Sequence, residues 1–124
     1  MKYLLLLLLL GLTFVSCKHD SEMAKNELPD CDPDTTNVTY TKDIAPLLTI
    51  ECGTNSSCHR QNSSDSEISL VSYDDVTAVA VTGQLLSSVI HDGNTEPMPY
   101  LGQKLSDCKI NKIKAWINQG LKEN

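Results

Sequence analysis

Aromatic side chains are scarce in this sequence: they make up 5% of its 124 residues, with one Trp and one Phe. A chain with so few large apolar groups builds only a thin core from its own side chains. Crosslinks, a metal or a large apolar cofactor are therefore expected to help fill it. Basic charge is also in short supply, with ten Lys and Arg against sixteen Asp and Glu and a net charge of −6. That balance lacks the basic footprint on which phosphate backbones bind, and it argues against nucleic acid as a partner. Strong apolar–polar alternation is missing, so no strand is expected, and there is no internal repeat. The length holds one domain and leaves no room for two. What the chain does have is cysteine: Cys17, Cys31, Cys52, Cys58 and Cys108.

Lys2 precedes an unbroken leucine run, Leu4–Leu10, and Gly11 to Ser16 lead on to Cys17. A basic start, a short apolar stretch and a small residue before the break form a secretory signal. The stretch from Tyr3 to Val15 is shorter than the ~20 residues that span a bilayer, so a spanning anchor is the weaker reading. Ser16-Cys17 resembles the lipobox of bacterial lipoproteins, with Phe14 where leucine is usual. The resemblance implies that residues 1–16 are a removed signal peptide and that Cys17 is diacylated as the new N-terminus. Two acyl chains, with a third on the amine, give stable attachment where one gives only marginal binding. Loss of the leader removes Lys2 and leaves nine basic against sixteen acidic residues, a charge of −7 on about 108 residues. The expected location is the bacterial cell envelope, lipid-anchored on the periplasmic side or at the cell surface, where disulfides persist. Lys18 to Glu22 bears only a faint likeness to charged surface-export signals. Residues 17–37 are acidic and punctuated by Pro29 and Pro33, and they read as a flexible tether to a domain over 38–124.

Within that domain the patterns are helical. Thr41–Ile50 carries Ile44, Leu47 and Leu48 at helical spacing, and Pro46 is tolerated only in a first turn. Tyr73–Val81 and Gln84–Ile90 are two short helices, while Gly53–Glu67 and Asp92–Gln103 read as irregular. The last helix is the clearest. Ser106 is its N-cap, Asp107 suits the first turn, and Leu105 and Ile110 stand at staple positions. Lys109 at N3 precludes a full capping box. Ile110, Ile113, Trp116 and Ile117 share a face, and Gly120 stands where a left-handed glycine ends a helix. The expectation is a small all-α domain.

The chemistry gathers in Cys52-Gly53-Thr54-Asn55-Ser56-Ser57-Cys58-His59. Two thiols followed by a histidine form the pattern of covalent c-type haem attachment, normally C-x-x-C-H. Two sulfurs add to two vinyl groups, and the adjacent imidazole reaches iron from the same turn of backbone. The spacer here is five residues, and Gly, Asn and Ser tolerate the outward bulge that this needs. A second axial ligand would come from a loop on the other face. Met98 stands between Pro97 and Pro99 in a stretch that cannot be helix, unlike a gap-filling core methionine. His91 is the competing distal ligand, although a histidine at a helix end also serves simply to cap carbonyls. His19 lies in the tether and reads as solvated.

The segment Thr36–Gly120, about 85 residues, resembles the small class I cytochrome c domains of bacterial lipoproteins, especially those of the Bacteroidetes type. Asp43-Ile44-Ala45-Pro46-Leu47-Leu48, Ser69-Leu70-Val71-Ser72-Tyr73, Met98-Pro99 and Lys104-Leu105-Ser106-Asp107 carry the resemblance, with Ile110, Ile113, Trp116, Ile117 and Gly120. It implies a cytochrome c-like fold around a single haem c, with the helix before the haem packed on the C-terminal helix. It also implies Cys52 and Cys58 as thioether donors, His59 as proximal and Met98 as distal iron ligand. Two departures are the five-residue spacer, which bears on attachment, and Asp65-Ser66-Glu67 in place of Gly-Gly, which alters only a loop.

Of the remaining cysteines, Cys31 at the end of the tether and Cys108 in the last helix are the preferred disulfide, closing a loop of nearly eighty residues. Such a link is worth up to ~4 kcal/mol. Rival readings remain. A Cys52–Cys58 disulfide would make a haemless structural or interaction lipoprotein. Zinc on Cys52, Cys58, His59 and either Cys108 or His91 suits neither the adjacent ligands nor an oxidising compartment. A Cys–His nucleophile lacks nameable oxyanion donors. The sequons at Asn37, Asn55 and Asn62 read as chance in a Ser/Asn-rich chain. The sequence therefore points to a monohaem electron carrier, monomeric and not a substrate-turning enzyme. Its acidic surface would meet basic redox partner proteins of the envelope by electrostatic steering.

Overall fold

Thr39 opens the helical part of the chain by exchanging two hydrogen bonds with the turn that follows. Its Oγ1 accepts from the Lys42 N–H at 3.4 Å, and its own N–H donates to the Asp43 carboxylate at 3.0 Å. The turn so capped is wider than an α-turn. In the computed structural model, which describes residues 31–55 and 58–124, Tyr40–Ile44 is a π-helical turn whose Tyr40 carbonyl accepts from the Ala45 N–H five residues on. It runs directly into α1, Ala45–Glu51, with Pro46 in the first turn where its missing N–H costs nothing. The expected single helix over Thr41–Ile50 is thus two pieces. The leader 1–16, the acylation expected at Cys17, His19 and the tether up to residue 30 lie outside the described residues.

Three further helices follow, and no strand occurs among the described residues. Tyr73–Val81 is α2. Its capping box is complete, with the Ser72 hydroxyl accepting from the Asp75 N–H at 3.1 Å and the Asp75 carboxylate accepting from the Ser72 N–H at 3.4 Å. Gly83, at φ +81°, makes the left-handed turn into α3, Gln84–Ile90. Asp107–Asn118 is α4, capped by Ser106 as expected. Its far end is a full Schellman closure: Gly120 N–H donates to Ile117 at 3.1 Å and Leu121 N–H to Trp116 at 3.0 Å. The domain is all-α, as the sequence indicates.

α2 packs on α3, α3 on α4, and α4 on the π-helical turn. Ile44, Leu48, Val76, Val89, Ile113 and Trp116 are fully buried where these surfaces meet. The few aromatics are concentrated: Tyr40 lies 5.4 Å from Tyr73, edge to face, and 6.1 Å from Trp116, centroid to centroid. Each spends its polar atom on a backbone carbonyl, Tyr40 on Val71, Tyr73 on Leu121 and Trp116 on Lys122. The C-terminal residues return along the π turn, where Tyr40 N–H donates to Lys122 and Thr41 N–H to Glu123.

Residues 31–37, at the end of the stretch read as a tether, are fastened to α4. Cys31 and Cys108 form a disulfide across a 6.1 Å Cα separation. Lys112 Nζ donates to the Asp34 carbonyl at 2.5 Å, and Gln119 takes the Val38 N–H while donating to the Thr35 carbonyl.

Candidate functional site

His59 has both of its backbone groups hydrogen-bonded. Its N–H donates to the Cys52 carbonyl at 3.2 Å, and its own carbonyl accepts from the Leu70 N–H at 3.0 Å. With a two-residue spacer, the first of these bonds would be an ordinary i to i+4 turn. Five residues separate the two cysteines here, yet His59 and Cys52 still meet through the backbone.

His59 as a whole is 8% exposed. Nδ1 lies 2.9 Å from the Ile68 carbonyl and 3.2 Å from the Ser66 hydroxyl. A carbonyl can only accept, so Nδ1 carries the hydrogen, and in the neutral ring this leaves the lone pair on Nε2. Ser66 is itself fixed, accepting from the Ile68 N–H at 3.1 Å. The ring is held at one nitrogen while Nε2 takes no hydrogen bond among the described residues. Metal-ligating histidines are oriented in this way. Sequence reasoning missed Ser66 and Ile68, because nothing local marks either as a partner of His59.

Two concavities meet at this ring. A cleft of about 500 Å³ is bordered by Cys52, Cys58, His59, Met98, Ile50 and Tyr100, and lies within the range of small-molecule and cofactor sites. A narrow slot of about 70 Å³ continues from it between Ile68, Leu70, Val79, Leu85 and Val89. Cys52, His59 and Met98 line both. The structure therefore brings Cys52, Cys58, His59 and Met98 to one cleft with an apolar wall. His91 borders neither concavity; its Nε2 lies 2.9 Å from the Met98 carbonyl.

Cys52 and Cys58 are free thiols, Cys58 exposed and Cys52 partly covered. Burial pushes the Cys52 thiol up to about 12, with the Glu51 carboxylate and Cys58 adding to the shift. A thiol so placed stays protonated at neutral pH, which does not suit a nucleophile. Cys108, a ligand in the zinc alternative, is committed to its disulfide. Among the described residues no group of three or more His, Cys, Asp and Glu is arranged to hold a metal ion.

Comparison with protein-family models, with curated proteins and with solved structures returned no match.

Proposed function

We propose that the protein is a monohaem c-type cytochrome of the bacterial cell envelope, with a class I cytochrome c-like arrangement of helices around the haem and a lipid anchor at Cys17. The observation that carries this reading is His59: a covered imidazole, fixed through Nδ1 by the Ile68 carbonyl, on a cleft shared with two thiols and a methionine. The donor set fits an iron porphyrin. Cys52 and Cys58 would hold it through thioethers, His59 Nε2 and the Met98 sulfur would ligate iron, and Ile68, Leu70, Leu85 and Val89 offer an apolar wall. A haem c supplies a one-electron Fe(II)/Fe(III) couple, placed on the high-potential side by a His/Met pair. With His59 and Met98 both bound to the iron, no site would be left open for a substrate, so the role would be electron carriage rather than turnover. The −7 charge left once the leader is removed suits docking on basic redox partner proteins as a monomer, at a rate that falls as salt rises.

Expression with a cytochrome c maturation system, followed by haem staining of a denaturing gel, tests the attachment. Stain that survives denaturation is expected. A colourless protein carrying a Cys52–Cys58 disulfide would sink the reading in favour of a haemless lipoprotein. Met98→Ala is expected to remove the far-red methionine–Fe(III) charge-transfer band while the haem stain persists. An unchanged band rules Met98 out as ligand.

A further inference from the structure

Met98 is held by its backbone, and both holds come from α3 and its cap. Its N–H donates to the Ser88 carbonyl within the helix at 3.0 Å. Its carbonyl lies 2.9 Å from His91 Nε2. His91 is the helix C-cap, with a left-handed backbone at φ +58°. That conformation is uncommon for residues other than glycine, and histidine is among those that adopt it more readily.

The loop between these two anchors is clasped at its start. Ser87 Oγ–H donates to the Asp92 carboxylate at 2.5 Å, Thr95 Oγ1–H to Ser87 Oγ at 3.0 Å, and Asn94 N–H to Asp92 at 3.0 Å. Residues 92–97 thus leave α3 and return Met98 to it at a fixed place. A carbonyl only accepts, so the nitrogen of His91 that faces Met98 carries the hydrogen. Nε2–H is present in the neutral tautomer this contact selects and in the imidazolium cation alike. The hydrogen bond therefore persists whichever protonation state the ring takes.

We infer that His91 is a positioning residue for Met98: through Nε2–H it holds the Met98 carbonyl and so sets where the thioether stands at the cleft. This deepens the cytochrome reading and rests on it, since a position for sulfur matters only if Met98 ligates iron. It assigns His91 a task other than distal ligand or cap of helical carbonyls. Iron ligation by Met98 competes with any added ligand. A looser carbonyl anchor raises the fraction of open sites, and apparent affinity for the competitor rises by that same factor.

The experiment uses the haem-loaded full chain. His91→Ala is expected to keep its haem stain, to weaken the far-red methionine band, and to bind added imidazole roughly five- to tenfold more tightly, the scale of one lost hydrogen bond. His91→Gln, whose amide N–H can donate to the same carbonyl, is expected to recover most of the band and the affinity. If wild type has the band and His91→Ala matches it in band and imidazole affinity, the positioning role is overturned and Met98 ligation stands. A Gln variant indistinguishable from the Ala variant overturns the donor assignment. A stained wild-type protein that lacks the band overturns Met98 ligation instead. One readout needs no haem: nitrogen NMR of the His91 ring in the full chain is expected to find the hydrogen on Nε2, and a hydrogen on Nδ1 alone overturns the inference.

Discussion

Lys112 shows how much depends on one side chain in a domain with little core to spare. It is 5% exposed, with Nζ 2.5 Å from the Asp34 carbonyl and 3.5 Å from the Asp43 carboxylate. One ammonium thus ties the segment before the domain to the π-helical turn and to α4. Asp32, 3.9 Å away and largely exposed, adds little through solvent. Lys112→Ala removes the cation and leaves the Asp34 carbonyl and Asp43 carboxylate short of a donor, at an expected cost of about 3 kcal/mol. Lys112→Met keeps the packed stem and loses only the charge, so it should cost less than alanine but remain destabilising. Urea unfolding of the three proteins decides it. A Met variant as stable as wild type would show that packing, not charge, is what Lys112 provides.

At the scale of elements, legibility in the sequence follows the range of the force involved. Ser106, the Leu105–Ile110 pair and Gly120 act within one or two turns, and α4 begins and ends where those residues place it. The bounds of α2 and α3, Tyr73–Val81 and Gln84–Ile90, also fall where the sequence pattern places them. The π-helical turn was not legible, because a hydrogen bond reaching back five residues instead of four changes no local residue preference. The candidate site divides in the same way. Cys52, Cys58, His59 and Met98 are recognisable by type and spacing, whereas Ser66 and Ile68, which orient His59, meet it only after folding. His91 was legible as a helix end, but its hydrogen bond goes beyond the helix to Met98. Gly120 tests the local rule cleanly. It sits at φ +88° with nothing within 4 Å of where a Cβ would lie, so Gly120→Ala meets no clash and pays only for the left-handed backbone. The expected loss is about 1 kcal/mol, read from the thermal midpoint. A neutral result would mean the Schellman closure relaxes without cost.

Over the whole molecule, stability is gathered from crosslinks and polar clasps as well as from the small core. The Cys31–Cys108 bond spans a sequence separation of 77, and replacing both residues by Ser is expected to remove up to ~4 kcal/mol. The unfolding midpoint in urea, with and without the pair, measures it. Acid should act on the clasps. Three carboxyls are held below their ordinary value of 3.8: Asp34 by the Thr36 N–H and hydroxyl, Asp75 by the Ser72 and Ser69 hydroxyls, and Asp92 by the Ser87 hydroxyl and Asn94 N–H. A carboxyl lowered in the fold stabilises it fully above the unfolded value, and the contribution is lost as pH falls through the folded value. These groups therefore add nothing to the pH dependence above about pH 5 and erode stability below about pH 4. The three stand at the docked 31–37 segment, at the α2 cap and at the loop that carries Met98, so acid loosens all three places together. Asp92→Asn keeps an oxygen to accept from Ser87 and Asn94 but no longer titrates. Its stability should fall less steeply than wild type between about pH 5 and pH 3. Identical acid slopes for the two proteins would show that the clasp on the Met98 loop is not part of the molecule's acid response.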